Sequence, residues 1–474
     1  MADWRSIMII ADKKFLSEID AKANALLDKI NSAEDKMTYT GKAYYISTVD
    51  GNDLNDGLTP ETAIRTLDRI HTLPLESGDA ILLQRGCEWR GNGMRINTNG
   101  ITIAAYGKGK KPIINISAKN YAVPYEWVKT DYPNLWKYMY PLGCDVGHIV
   151  CDGNIHCIKK CSQHYGFEEK LEQIQNDLEF YSDRHNNDFV YFYSEQNPGE
   201  RFKLMEMQRI IPGILIRAQK DIWVDNICIL NAFFGISTGS IDNFHVSNCE
   251  FGFIGGSGRF RADDPKMVRL GNGVEMYGKC DDFTVENCYF HDIYDAGVTH
   301  QRSGGNTSPV PITMFNVRYE SNLFERCIYS IEYFCGQKDS TEARMENILM
   351  KDNICRYSGG FGWQRPNRQC RHIQGGWIGA LNDRYRATNY VIENNIFDRS
   401  IDTILSISAD DAKHLPVMRG NTYVQYAGGK YGANFVPYDR FMPYDEEAER
   451  FIREDRGEKD AVVAVVPEYD GMCD

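Results

Sequence analysis

Between about residue 220 and residue 430 one short pattern keeps returning: an apolar-alternating stretch, an asparagine, then an apolar or aromatic pair. The instances are IWVDNICI, FHVSNCEF, FTVENCYF, VRYESNLF, ILMKDNIC, YVIENNIF and PVMRGNTY. Their asparagines are Asn226, Asn248, Asn287, Asn322, Asn353, Asn395 and Asn421, at spacings of 22, 39, 35, 31, 42 and 26 residues. A period of this size marks a solenoid. The alternation inside each copy is that of a strand, and the intervals lack long helical stripes. Parallel strands stack about 4.8 Å apart, so a residue type recurring once per coil lands on its own copy. Asparagine suits such a corner because it tolerates the left-handed backbone region and its amide can bond along the stack. The longer spacings read as coils carrying loop insertions. Cys249 and Cys288 both follow the asparagine directly and are expected to stack in the core.

The segments outside the repeat fit this scheme. Residues 14–35 carry a helical stripe of Phe15, Ile19, Ala23, Leu26 and Ile30. Through that stripe a second copy of the chain could dock, giving a homo-oligomer. Tyr44–Ser47 reads as a strand, Thr59 and Pro60 as the cap and first residue of a short helix through Ile70, and GDAILLQRG and ITIAAYG as buried strands. The loop DGNDLNDG invites a calcium reading that fails, because from Asp50 the fifth position is Leu54 and no glutamate falls at the twelfth. Residues 119–205 lack the asparagine signature and read as a β-rich insertion. The organisation expected is therefore an N-terminal helical extension over 1–43, a parallel β-helix over 44–435 and a C-terminal cap over 436–474 built from a helix and a strand.

Composition narrows the function. A net charge of −13 argues against nucleic acid or an anionic membrane as the partner, since both need a basic face. No apolar run approaches the length of a membrane span, and the apolar cluster near the N-terminus is too short for a secretory core. With 14 scattered cysteines and no CxxC, the expectation is a cytoplasmic protein with free buried thiols. Cys157 and Cys161 lack a matching His/Cys cluster for zinc, and neither a metal nor another cofactor is called for.

The stretch YYIS…GNDLNDGLTPETAIRTLDRI…SGDAILLQRGCEWRG resembles the entry segment of bacterial right-handed parallel β-helix proteins of the pectate-lyase-like superfamily. NGVEMYG, YDAGVTHQ, SIEYF and WQRP resemble a glycoside hydrolase-like subgroup of it from gut-type bacteria. The resemblance covers nearly the whole chain after residue 43. It implies an all-β solenoid and a groove on the outer face of one sheet. It leaves the activity open, because the superfamily includes lyases, glycoside hydrolases, epimerases and adhesins. The galacturonase motif set NTD, DD, GHG, RIK is not found in order.

A second strand follows each asparagine segment, and small residues set its register. Gly273–Tyr277 is placed over Gly297–Gln301, then Ser330–Phe334, Gly360–Gln364 and Thr403–Leu405. Val274, Val298, Ile331, Phe361 and Ile404 then form an inward column, and Glu275, Thr299 and Glu332 point outward, as do Tyr277, Gln301 and Gln364. Asp295 lies in the turn just ahead of the middle strand. Glu275, Asp295 and Glu332 are the candidate catalytic carboxylates. Tyr277, His300, Gln301, Tyr333, Trp363, Gln364 and Arg365 are the candidate substrate-binding groups, although strict alternation would turn His300, Tyr333 and Trp363 inward. Aromatic faces, amides and paired acids are what a sugar site needs. The expected activity is hydrolysis of an oligosaccharide or glycoside by a carboxylate pair. The alternatives are a uronate lyase using Arg365, Arg368 and Arg371 with Arg259, Arg261 and Arg302, and a non-catalytic carbohydrate-binding solenoid.

Overall fold

The structure is a computed structural model that describes residues 8–35, 38–160, 170–182, 189–261, 264–304, 312–337, 343–359, 369–376, 385–407, 415–432 and 441–473. Three parallel strand ladders wind around one apolar interior, which makes the chain a parallel β-helix. Ten strands form the first ladder: Ala43–Ile46, Ala80–Gln84, Ile101–Tyr106, Lys220–Asp225, Ile241–Ser247, Cys280–Glu286, Ile312–Glu320, Ala343–Lys351, Tyr385–Glu393 and Val417–Arg419. The second runs from Glu88–Arg90 and Ile113–Asn115 through Cys228–Leu230, Glu250–Ile254, Ile354–Ser358, Ile396–Ser400 and Thr422–Tyr426 to Val462–Val466. The third joins Met94–Ile96, Ile214–Ile216, Ile236–Thr238, Val274–Tyr277, Arg371–Gly376 and Leu405–Ile407. Two long strands, Tyr289–Gly304 and Leu323–Gln337, turn the corner and serve the second and third ladders in succession.

The asparagine repeat is two adjacent columns rather than one. Asn226, Asn248 and Asn287 take the left-handed corner, with φ of 58°, 52° and 49°. On later coils Ser321, Asp352, Asn394 and Gly420 occupy that corner, and the asparagine sits one residue on. Asn322, Asn353, Asn395 and Asn421 are buried and bonded in series. Nδ2 of Asn322 donates to Oδ1 of Asn353 (3.0 Å), Asn353 to Asn395 (2.9 Å) and Asn395 to Asn421 (3.0 Å). Glu458 of the C-terminal segment ends the series by accepting from Asn421 at 2.8 Å. Cys249 and Cys288 hold the ladder position on earlier coils and stack there as expected, the Cys249 N–H meeting the Cys288 sulfur at 3.4 Å.

Like residues also stack inside. Phe251, Phe290 and Phe324 lie ring on ring at 4.9 Å per step. The N-terminal helix, Lys13–Asn31, is capped by Asp12 and lays Ile19, Ala23 and Ile30 on the outer face of the second ladder, against Leu323, Ile354, Ile396 and Val424. Its apolar stripe thus packs within the chain. Beyond it, Ile9 and Ile10 pair with Ala464 and Val465, so the two ends of the chain meet at one end of the solenoid. Ala448 and Ile452 of the C-terminal segment join the core.

Two local expectations are corrected. The helix from Thr59 to Ile70 is two separate 3-10 turns, Pro60–Thr62 and Asp68–Thr72, because Ile64 between them bridges to Ile46. The carboxylates of the DGNDLNDG loop are engaged locally: Asp53 accepts from the Arg65 and Thr66 N–H groups, and Asp56 from Leu58 and Thr62. The insertion is wider than 119–205, since the solenoid leaves at Asn115 and resumes at Ile214. Most of it folds as two small sheets with a separate core around Trp127, Tyr138, Phe180 and Phe192. Among the described residues no helix is long and apolar enough to cross a membrane.

Candidate active site

The third ladder carries the row of outward residues. Val274 pairs with Val298 and Val298 with Ile331, while Glu275 pairs with Thr299 and Thr299 with Glu332, so the expected register holds over these three coils. The next coil differs. The strand beside Glu332 is Arg371–Gly376, which brings Gln374 into the row, and Leu405 rather than Ile404 stands beside Ile373. Residues 360–368, including Phe361, Trp363, Gln364, Arg365 and Arg368, lie outside the described residues. The row reads Ser237, Glu275, Thr299, Glu332, Gln374 and Ser406 across adjacent strands.

Alternation decides which neighbours face the same way. Tyr277, 45% exposed, and the half-buried Gln301 stand two residues further along the outer face. His300 and Tyr333 do not. Both point into the solenoid, where His300 Nδ1 lies 2.9 Å from the Tyr319 hydroxyl and the two rings stack 5.7 Å apart. Burial holds the His300 pKa down at about 3, so it is a neutral core imidazole rather than a substrate contact. Gly375 faces Tyr333 across the ladder, because any Cβ there would fall 2.2 Å from the ring.

The two glutamates are held differently. Glu275 accepts from the Ser237 hydroxyl at 3.3 Å on one oxygen and from the Asn272 amide at 2.6 Å on the other. Glu332, 9% exposed, accepts from the Gln301 amide at 3.1 Å. One strand separates them, a backbone distance of about 9.6 Å at about 4.8 Å per step. On that strand, between them, stands Thr299, fully buried, with a hydroxyl that has no hydrogen-bond partner among the described residues. Asp295 is off the row. It sits in the irregular bend between Ile293 and Ala296, where its N–H bonds to Gly271, and it is 6% exposed.

A second polar cluster, on the second ladder, is a structural tie. Asp292 is almost fully buried and accepts both guanidinium arms of Arg326 (2.7 and 2.9 Å) and Nδ1 of His291 (2.7 Å). Burial pushes the His291 pKa down, but its bonds to Asp292 and Glu250 outweigh that and raise it to about 9. His156 of the insertion approaches Asp292 at 3.5 Å and so clips the insertion to the solenoid. Of the lyase arginines, Arg371 is buried beside Gln369. Among the described residues no group of three or more His, Cys, Asp or Glu is gathered to hold a metal. The described cysteines are not joined to one another in disulfides.

No protein-family model matches the chain, and no curated protein matches it in sequence. Several solved structures are similar to it, three of which follow. One is a GH136 lacto-N-biosidase from Eubacterium ramulus, at 13% identity and a TM-score of 0.40 over 82% of this chain and 64% of that one. Another is XylC in complex with xylose, at 11% identity and 0.44 over 83% and 70%. The third is pectate lyase Pel9A, at 12% identity and 0.37 over 84% and 74%. All three are parallel β-helix proteins, and this chain spans 64% of the length of the lacto-N-biosidase chain. The ladder register carries the fold assignment for this chain.

The site signal that sequence reasoning missed is Asn272, which reads as part of a turn. Ser237 was missed because its coil lies before the first strand placed in register, and Gln374 because Gly360–Gln364 was placed beside Glu332 where Arg371–Gly376 stands.

Proposed function

We propose that the protein is a carbohydrate-active enzyme, a glycoside hydrolase that uses Glu275 and Glu332 as its carboxylate pair. The observation that carries this reading is the row itself: two acids on one outer face, held by side-chain donors, with one strand between them. Hydrolysis needs one carboxyl group to protonate the leaving oxygen and another to activate water or attack the sugar. A separation of two ladder steps suits the inverting arrangement, which leaves room for water between the acids. Tyr277 supplies an exposed ring for a sugar face, and Gln301 and Gln374 supply amides for hydroxyl groups. The similar solved structures include proteins named as a lacto-N-biosidase and as a pectate lyase, which agrees with a sugar substrate at that coarse level.

The test is product analysis on a panel of neutral and uronate-containing oligosaccharides. Hydrolysis adds one water per cleavage, and saturated products of that mass are expected, with the anomer first released inverted. Unsaturated uronides absorbing in the ultraviolet would replace this reading with β-elimination.

A further inference from the structure

Asn272 is almost fully buried in the turn that leads into the strand Val274–Tyr277, and its side chain has two fixed engagements. Its Oδ1 accepts the Ala296 N–H at 2.9 Å, on the bend beside Asp295. An amide oxygen committed to a backbone donor leaves the NH2 on the other branch, and that group points at Glu275 Oε2 at 2.6 Å. Its backbone carbonyl accepts from Gly235, so the residue is tied to the coil before as well as the coil after. The turn has little freedom to shift, since a Cβ at Gly271 would fall 2.1 Å from the Gly255 Cα and one at Gly273 would fall 2.4 Å from the Gly297 carbonyl. Glu275 therefore meets a donor at each oxygen, Asn272 on one and Ser237 on the other. Donors at both oxygens fit a carboxylate that only accepts, not a carboxyl group that must present its own O–H.

Resting on the hydrolase reading above, we infer that Glu275 is the base of the pair, that Glu332 is the acid, and that Asn272 is the positioning residue that aims Glu275. In the reaction, the oxygen of water bonds to the anomeric carbon as the bond to the leaving oxygen breaks. Glu275 takes the proton from that water, and Glu332 gives its proton to the leaving oxygen. Asn272 touches neither sugar nor water. It acts by fixing where the accepting oxygen of Glu275 lies.

Asn272→Asp tests this cleanly, because aspartate keeps the acceptor that Ala296 needs and removes only the donor facing Glu275. It also places a second carboxylate against Glu275, which favours a shared proton. The profile of kcat/KM against pH is measured on the glycoside the wild type hydrolyses best. Its acid limb should move up by about one pH unit or more with the alkaline limb unmoved. Asn272→Ser, which keeps a donor, should recover part of the profile. With an aryl glycoside bearing an activated leaving group, Glu332→Gln should regain roughly 10²-fold or more relative to an unactivated substrate, because such a group leaves without a proton. Glu275→Gln should regain nothing. An unmoved acid limb in Asn272→Asp, or leaving-group rescue of Glu275→Gln instead of Glu332→Gln, overturns the assignment while the hydrolase reading stands. A wild type that hydrolyses no glycoside brings down the hydrolase reading and the assignment together.

Discussion

Replacing Asn353 with alanine should cost far more than replacing Asn287, although the two sit in matching copies of one sequence motif. Asn353 Oδ1 accepts two buried donors, the backbone N–H of Asn322 at 3.0 Å and its Nδ2 at 3.0 Å. Its own Nδ2 reaches Asn395 at 2.9 Å and the Tyr319 carbonyl at 2.8 Å. Alanine keeps the backbone donor to Asn395 but strands, in a fully buried place, the Asn322 backbone N–H and one of the two Nδ2 hydrogens of Asn322, the other staying on the Val285 carbonyl at 2.9 Å. At about 1–3 kcal/mol per orphaned buried group, the loss comes to roughly 3–5 kcal/mol. Asn287 has φ 49° and an exposed bond to Lys29 at 2.7 Å. Its alanine variant loses the left-handed preference and one exposed contact, about 1–2 kcal/mol. Guanidinium unfolding of the two variants and the wild type, with m-values compared to confirm the same unfolding unit, reads both numbers. A stability loss at Asn353 no larger than at Asn287 would refute the two-column account of the corner.

Three other outcomes follow from particular residues. Burial holds His148, His300 and His372 at pKa values of about 3, so the unfolded chain binds more protons than the folded one between about pH 3 and 6.5. Stability should fall as pH drops below 6.5, by about 2 kcal/mol per histidine at pH 5. A thermal midpoint unchanged from pH 7 to 5 would contradict this. His291 has the opposite sign: its folded pKa of about 9 adds stability that is full below 6.5 and is lost as pH rises through 9, which melts from pH 7 to 10 would show. Gly375→Ala should destabilise by about 1–3 kcal/mol through its clash with the Tyr333 ring, and Tyr333→Leu in the same chain should recover most of that; no recovery would mean that the strain lies elsewhere.

The solenoid was readable because one residue type recurs once per coil, and the central register because Gly273, Gly297 and Ser330 each precede a branched aliphatic. Where those cues lapse, the reading slips. The run Thr403-Ile-Leu405 offers two apolar residues in succession, so nothing in it chooses between Ile404 and Leu405 as the partner of Ile373. The two asparagine columns merged because each coil shows an asparagine at one of two neighbouring positions, and only the backbone separates them. His300 and Tyr333 were counted with the site for their chemistry, against the alternation that places them inside. A further column went unread. Asp221, Asn243, Asp282, Asn316, Asn347 and Asn389 all have left-handed φ between 51° and 60°, each five residues before the corner residue of its coil. Most are bonded along the outside of the first ladder, as Asn389 is to Asn347 at 2.7 Å and Asn347 to Asn316 at 3.1 Å. Asn and Asp share that column without an apolar pair to flag them, so they pass for ordinary surface residues. Asn272 escaped for a related reason: its partners, Glu275 and Ala296, are brought together only when two coils stack.

The central claim, that the outward row of the third ladder is catalytic, is tested most directly by Glu332→Gln compared with the wild type in turnover and in thermal melting. Glu332 lies on the outer side of its strand and accepts from Gln301, while Ile331 and Tyr333 on either side of it do the packing. The account predicts a turnover loss of about 10³-fold or more with the melt essentially unchanged. A variant that melts many degrees lower, or one that cleaves sugars at the wild-type rate, would contradict it.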